Sequence, residues 1–252
     1  MPPRVFTVAE RPDLEGRLDE IADPWPEFMH HDPAVRRWFP VLYERFRDFQ
    51  FVLYEEDADV ILGEGCSIPI CWDGRTETLP AGVTVLESGF TEPEPNVLCA
   101  LVAVVDPRHQ GQRLSGLIVR SMGEAASRAS LECLIAPVRP TWKERYPLTP
   151  IERYMRWQRE DGLPFDPWIR LHHRLGAEIL AVAPRSLDVR GSVAEWEEWT
   201  GMAFPETGEY VVEGALVPVT IDQERDEGRY VEPNVWMRHA TQDPGSRGSS
   251  SR

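Results

Sequence analysis

The chain has 252 residues, 42% of them apolar, and carries 42 acidic against 27 basic side chains, a formal net charge of −15. The apolar content is enough for a sizeable core, so a globular protein is expected. The negative charge disfavours general binding to nucleic acids or anionic membranes, because its field repels phosphates, so any anionic ligand must be bound locally.

The first third of the chain predicts two helices followed by two strands. The helices are expected at 10–22 and 34–47, and the strands at 48–55 and 58–74. Asp32-Pro33 is a typical start for the second helix, and a turn at Asp57 joins the strands. The segment 74–95 is broken by prolines and glycines, and its "VTVLESGF" leaves a short helix and a strand both open.

A βαβ unit is predicted in the centre of the chain. The run "NVLCALVAVVD" (96–106) is almost continuously apolar, as expected of a strand buried on both faces. From Leu114 to Ala129 apolar residues recur every three or four positions, which indicates a helix, and residues 131–138 predict the next strand. Such strands are most simply parallel, so the strand-to-helix turn should lie at the carboxyl edge of the sheet, where ligands tend to bind.

The second half alternates helices with strands. Helices are expected at 150–160, 166–176 and 192–201, and strands at 177–184, 209–222 and 234–239. The residues that predict the helix starts are Thr149 with Glu152, Asp166, and Ser192 with Glu195. The segment 241–252 has too little apolar surface to offset the cost of ordering it, so a single domain over 1–240 and a disordered tail are expected.

The sequence lacks the features typical of membrane-spanning, secreted and metal-binding proteins. No apolar run approaches the roughly 20 residues that span a bilayer, and the N-terminal segment has neither the basic start nor the apolar run of a signal peptide, so a cytoplasmic protein is expected. The cysteines form no C-x-x-C pair and lie in apolar surroundings, which predicts buried reduced thiols. The adjacent His pairs point to different sides of any element, so no metal site is expected.

The stretch "RHQGQRLSG" (108–116) occupies the turn between the central strand and its helix. A glycine-containing turn before a helix N-terminus offers unpaired backbone N–H donors and partial positive charge, so it can hold a pyrophosphate with little help from basic side chains. On these residues alone, a phosphate site and an ordinary polar turn both remain open.

The strand, turn, helix and strand around Arg108-x-x-Gly111 resemble the acyl-CoA signature Q/R-x-x-G-x-G/A of the GNAT superfamily of N-acyltransferases. Arg113 stands at the G/A position and departs from the pattern. Two effects of Arg113 are open. Its guanidinium adds a contact to phosphate, or its bulk narrows the turn and weakens cofactor binding. The small residues Ser115 and Gly116 keep the backbone approachable, which favours the phosphate contact.

The resemblance implies an α/β (α+β) fold with a mixed, mostly antiparallel central sheet flanked by helices, in which a parallel βαβ unit carries the pyrophosphate turn. It also implies acetyl-CoA or another acyl-CoA as co-substrate. The residues expected to bind it are Val104, Val105, Arg108, Gly111, Gln112, Arg113, Ser115 and Gly116.

A second family element concerns the departing thiol. Members of the family commonly end their fourth helix with Y-x-x-x-G-F, in which the Tyr is a general acid, and "HHRLGA" (172–177) places His172 at that position. A histidine in the last turn of a helix is favoured in its charged form and can protonate a thiolate, which makes His172 the candidate acid. Capping of helix carbonyls or a surface position is the alternative, and it is preferred for His173.

The general base and the acceptor site are predicted from charged residues. The strand 96–105 has no carboxylate, which excludes a base there and leaves Glu144, Glu152, Asp161 and Asp166 as candidates. Because Glu152 and Asp166 are expected to cap helices, Glu144 is the candidate we adopt. The loop 137–150 mixes cations with aromatics and predicts an acceptor bearing a carboxylate or phosphate, or else a merely solvated loop. The candidate acceptor residues are Arg139, Trp142, Arg145 and Tyr146.

The sequence therefore predicts an N-acyltransferase in which the amine of a small molecule attacks the thioester of acyl-CoA directly. One alternative keeps the fold but takes the acyl group from aminoacyl-tRNA or a carrier protein. Its contact would be the basic run Arg139, Lys143, Arg145, Arg153, Arg156 and Arg159. The other alternative is a non-catalytic acyl-CoA-binding protein. The oligomeric state stays open, with a homodimer as one option.

Overall fold

A single mixed sheet runs through the computed structural model, which describes residues 2–82 and 84–240. In chain order its strands are β1 Arg4–Thr7, β2 Gln50–Glu55, β3 Val60–Ile70, β4 Val97–Val105, β5 Cys133–Val138, β6 Glu178–Gly191, β7 Gly208–Tyr210, β8 Val219–Asp222 and β9 Glu227–Ala240. They are arranged β1-β2-β3-β4-β5-β9-β8-β7, with β6 paired to β9. The tail predicted over 241–252 lies outside the described residues.

Helices cover both faces of the sheet. They are α1 Pro33–Arg45, α2 Val85–Thr91, α3 Ser115–Arg128, α4 Ile151–Tyr154, α5 Pro167–Arg174 and α6 Val193–Thr200, joined by short 3-10 helices such as Pro12–Glu20 and Glu27–His31. In the described part of the chain, no helix is long and apolar enough to cross a membrane. Cys66, Cys99 and Cys133 are buried free thiols, whereas Cys71 is half-buried.

The core is divided between the two faces. On one face the apolar side of α3, with Ile118 and Met122, packs against Leu98 and Leu134 of the sheet. On the other face Leu42 of α1 and residues of α2 pack in a second cluster. Gly65 of β3 allows the close approach of α3, because a Cβ there would lie 2.5 Å from the Ile118 side chain.

The parallel βαβ unit is confirmed, and its strands separate early. All strand pairs are antiparallel except β4 with β5, and that pair is joined only at Leu98–Leu134 and Cys99–Ile135. Beyond Cys99 and Ile135 the two strands diverge toward their carboxyl ends. The backbone groups of β4 that face β5 therefore have no strand partner over most of the strand.

Several predicted boundaries are wrong. The helix expected at 150–160 covers only Ile151–Tyr154 and has no side-chain cap from Thr149, so Glu152 has no capping role. The chain turns instead, because Trp157 packs with Tyr146, Tyr154 and Phe165 in an aromatic cluster. Tertiary packing here overrides a local start signal.

The other differences between the predicted and observed elements arise from contacts between segments that are far apart in the sequence. The N-terminal strand β1 was not predicted, and the region 10–22 contains a 3-10 helix rather than an α-helix. The strand expected at 209–222 is two short strands separated by a loop. Strands β6 and β9 extend well beyond the predicted 177–184 and 234–239, since each provides the other with a long antiparallel partner.

Asp166 joins α5 to the rest of the fold. Its Oδ1 accepts from the N–H groups of Trp168 and Ile169, at 2.9 and 3.2 Å, and caps the helix. Its Oδ2 accepts from the Trp142 N–H and the Tyr154 hydroxyl, at 2.8 and 2.9 Å. The carboxylate is 2% exposed, so these four bonds are not replaceable by water.

We predict that Asp166→Ala lowers the free energy of unfolding by about 3 kcal/mol, because it removes a helix cap and leaves buried donors unsatisfied. Ser192→Ala, which removes the exposed cap of α6, is the matched control and should cost about 1 kcal/mol. Urea denaturation measures both. Equal losses for the two variants would contradict a linking role for Asp166.

Candidate active site

A cavity of about 1250 Å³ opens where β4 and β5 diverge. Residues 100–105 of β4 and 136–138 of β5 form two of its sides, and the turn after β4 lies at one end. The segment 21–31, which we call the N-terminal strap, supplies much of the remaining lining. The cavity is thus lined by the start of α3, by the diverging strands and by the strap, and we call the part that the strap lines the chamber.

The turn between β4 and α3 has the backbone of an anion site. Gly111 and Arg113 both adopt the left-handed region, with φ of 82° and 62°, and both line the cavity together with Ser115. The N-cap residue of α3, Leu114, gives no side-chain cap to the helix. The first N–H groups of α3 are therefore available to an anionic ligand, which the helix dipole also favours.

Arg113 explains why the sequence pattern prefers glycine at this position. A positive φ costs a residue with a Cβ roughly 1–2 kcal/mol, whereas glycine adopts it freely. Among the described residues, the Arg113 guanidinium has no hydrogen-bond or ion-pair partner. The turn therefore keeps the geometry of the signature while retaining a strained residue with a free cation at the cavity wall.

Arg108 does not face the cavity, which corrects its predicted role. Its guanidinium forms a two-point ion pair with the buried Asp106, with distances of 2.9 and 2.6 Å, and also donates to the Glu20 carbonyl at 2.9 Å. Arg108, together with the Ala22 N–H that also bonds Asp106, holds the pKa of that carboxyl well below its usual range. The ion pair thus fastens the N-terminal strap to the end of β4.

Of the other predicted cofactor residues, some line the cavity and some do not. Val104 and Val105 line the cavity along β4. The Gln112 side chain is exposed and Gly116 is buried beneath the helix start, and neither is among the lining residues. Gly116 has space around it, since an added Cβ would lie 3.6 Å from the nearest atom of Arg120.

His172 is buried at the cavity wall on α5. It is 2% exposed, its ring lies edge-on to Trp168 at 4.6 Å, and its Nδ1 lies 2.8 Å from Nε2 of His239. Burial, with a smaller contribution from His239, lowers the pKa of His172 to about 3. The expectation that the helix end favours the charged imidazole is therefore wrong, because desolvation outweighs the dipole.

The acceptor loop contributes less than predicted. Trp142, Arg145 and Tyr146 do not line the cavity; the Arg145 guanidinium lies over the Trp142 ring, and Tyr146 belongs to the aromatic cluster around Trp157. Arg139 does line it, but its Nε donates to Glu232 at 2.9 Å and its Nη2 to the Gly214 carbonyl at 2.6 Å. Its charge is therefore already neutralised within the protein.

Carboxylates dominate the chamber beneath the strap. Those that line the cavity include Asp23, Glu27, Glu64, Glu144, Glu213 and Glu232. Burial raises the pKa of Glu64, and the nearby Asp23 raises it further, although a hydrogen bond of 3.0 Å from the Tyr43 hydroxyl opposes the shift. Two acidic groups that repel each other in a partly buried site favour a bound cation.

Sequence reasoning missed Glu64, Asp23 and His239. Glu64 had a visible signal, since it is a carboxylate within the otherwise apolar strand "VILGEGCSIPI". Asp23 and His239 had none, because each meets its partner only through the fold. Glu144 was predicted and does reach the cavity, where it is exposed.

Comparison with known proteins places these features in a family. No protein-family model matches the chain. The arginine N-acetyltransferase avaD of Aspergillus versicolor is 30% identical over 268 residues, which cover 92% of each protein. The chain belongs to the GNAT superfamily of N-acyltransferases, the family that the sequence resemblance predicts.

Two solved structures share the fold. The loading GNATL domain of CurA from Lyngbya majuscula superimposes with a TM-score of 0.61 at 18% identity, covering 96% of this chain and 99% of that one. The GphF GNAT-like decarboxylase in complex with isobutyryl-CoA gives a TM-score of 0.55 at 19% identity, covering 96% and 100%. The predicted fold class is confirmed.

We predict that Arg113→Gly and Arg113→Ala separate the two effects of this residue. The glycine variant should gain about 1 kcal/mol of stability because its positive φ is no longer strained, whereas the alanine variant keeps the strain. Both should bind CoA about tenfold more weakly, because both lose a free guanidinium near the phosphates. Thermal unfolding and calorimetry measure these effects, and tighter CoA binding by Arg113→Gly would show that the side chain only obstructs the turn.

Proposed function

We propose that the protein transfers an acetyl or other acyl group from acyl-CoA to the amine of a small, positively charged acceptor. The observation that carries the proposal is one continuous cavity whose lining includes both an uncapped helix N-terminus and a set of carboxylates. Such a cavity suits an anionic donor and a cationic acceptor.

The donor is proposed to lie along the diverging strands. Its pyrophosphate would take the N–H groups at the start of α3, near Gly111 and Arg113. Its pantetheine amides would pair with backbone groups of Val104 and Val105 in β4, which have no strand partner on the β5 side. A N–H group of β4 would also polarise the thioester carbonyl.

The acceptor is proposed to bind beneath the N-terminal strap. Asp23, which lies 2.8 Å from Nε2 of His30, and Glu64 are acidic groups there, and Arg139 is engaged by Glu232. A cation, which would favour the ionised form of Glu64, therefore suits this site better than the anionic acceptor that the loop sequence predicts. The arginine substrate in the name of the Aspergillus versicolor relative supports an acceptor that carries an amine and a guanidinium.

Transfer requires two proton movements. The amine nitrogen attacks the thioester carbon, the C–N bond forms, and the C–S bond breaks as the thiolate leaves. The amine must lose a proton and the thiolate must gain one. His172 is proposed to take part, since its ring lines the cavity, and Glu144 at the mouth is a second candidate for removing the amine proton.

The two alternative functions find less support. In the basic run proposed to contact tRNA, Lys143 is fully buried and donates to the carbonyls of Tyr146 and Leu216, while Arg139 is paired with Glu232. Two of the six residues of this run are therefore not available to contact nucleic acid. A role limited to binding acyl-CoA does not account for the carboxylates that line the acceptor chamber.

We predict that the protein binds acetyl-CoA or another acyl-CoA by calorimetry and acylates a cationic amine. His172→Phe should lower kcat by at least a hundredfold while changing CoA affinity less than threefold, because it removes a proton-transfer group but keeps the ring volume. His173→Phe is the matched control, since His173 is exposed and does not line the cavity. Absence of binding by every acyl-CoA tested would contradict the proposed donor.

We also predict that arginine and agmatine are acylated faster than glutamate, which carries no cationic side chain. Glu64→Gln should raise the KM of the cationic acceptors about tenfold with a smaller change in kcat, because it removes charge without changing shape. The exposed Glu77→Gln is the control. An unchanged KM in Glu64→Gln would show that this carboxylate does not bind the acceptor.

A further inference from the structure

Two buried imidazoles form a chain that ends at the cavity. His172 Nδ1 and His239 Nε2 lie 2.8 Å apart, and the backbone of Leu175 lies near His239 and raises its pKa. Among the described residues, His172 Nε2 is one of the few buried polar atoms without a partner. Because the ring lines the cavity while its Nδ1 side meets His239, the unpartnered nitrogen is the one left for a ligand.

The hydrogen-bond partners decide which nitrogens carry protons. The Leu175 backbone raises the pKa of His239, as expected where the imidazole N–H is directed at the Leu175 carbonyl. Burial keeps both rings neutral at pH 7, since it lowers the pKa of His172 to about 3 and that of His239 to about 4. A neutral imidazole carries one N–H. If the N–H of His239 is at Nδ1 and is directed at Leu175, its Nε2 must be a hydrogen-bond acceptor.

In that tautomer of His239, His172 donates from Nδ1 to His239 Nε2 across the 2.8 Å contact. Its own single N–H is then used inside the protein, and its Nε2 presents a lone pair. This arrangement is the reverse of the one that a general acid needs, because an acid must present a proton to the departing thiolate.

We propose that His239 is a positioning residue that holds His172 in the Nδ1–H tautomer, so that Nε2 accepts the proton of the attacking amine. The proposal rests on the acyl transfer proposed above. As the C–N bond forms, the amine N–H proton passes to His172 Nε2. As the C–S bond breaks, the same proton passes from the imidazolium to the thiolate, which leaves as the free thiol.

The neighbouring thiolate makes this transfer feasible in a buried site. An imidazolium alone is disfavoured there, but one formed beside a developing negative charge is stabilised by it. The attacking amine also becomes much more acidic once it is bonded to the carbonyl carbon. His172 therefore needs to be charged only while the tetrahedral intermediate and the departing thiolate are present.

The first test measures the tautomer directly, in the whole protein without substrate. Nitrogen-15 NMR of ¹⁵N-histidine-labelled protein should show His172 with a protonated Nδ1 and an unprotonated Nε2, and His172→Phe assigns the signals. In His239→Leu, Nδ1 loses its acceptor, so the proton should move to Nε2. A protonated Nε2 in the unaltered protein would overturn the proposal whether or not the protein is an acyltransferase.

The second test is catalytic. His239→Leu should lower kcat roughly ten- to a hundredfold with little change in the KM of acyl-CoA, as is typical when an orienting partner is lost. His239→Gln, whose side-chain oxygen can accept from His172 Nδ1, should recover most of the rate and the Nδ1–H tautomer. Equal losses in the two variants, with both folded by circular dichroism, would mean that His239 only fills space.

Discussion

The separation of β4 from β5 is the constraint on which the site depends. Parallel strands normally continue their ladder, yet these two are joined at only two residue pairs before they diverge. The divergence leaves backbone donors and acceptors of β4 without a strand partner, an arrangement that is costly unless water or a ligand satisfies them. It also opens the cavity that the helix N-terminus and the carboxylates line.

The rest of the fold keeps that opening in shape. On the β4 side, the Asp106–Arg108 ion pair fixes the strap through the Glu20 carbonyl and the Ala22 N–H. On the far side, the ring of Trp25 lies 5.6 Å from the Arg139 guanidinium, which itself bonds to Glu232. The strap is thus held at Ala22 and at Trp25, and the charges that fasten it are not available to the ligands. The net charge of −15 is consistent with this division, since the donor site uses backbone dipoles while carboxylates line the acceptor chamber.

How far the sequence predicts this structure depends on the range of the interactions. The caps at Asp32, Asp166 and Ser192 are all observed, because a cap is set by residues two or three positions apart. The βαβ unit and its turn were readable from apolar periodicity for the same reason. The positive φ of Arg113 was not, since residue type alone favours the right-handed region. His172 and His239 are 67 positions apart, so their contact, and with it the tautomer, follows only from the pairing of α5 with the sheet.

The central claim is that acyl-CoA lies in the cleft between β4 and β5 with its pyrophosphate at the turn before α3. A crystal structure with a non-hydrolysable acetyl-CoA analogue tests it most directly. The predicted result is density for the pyrophosphate within hydrogen-bond distance of the N–H groups of residues 111–116, and for the pantetheine between the diverging strands. Density for the analogue elsewhere, with the cleft left to solvent, would contradict the claim.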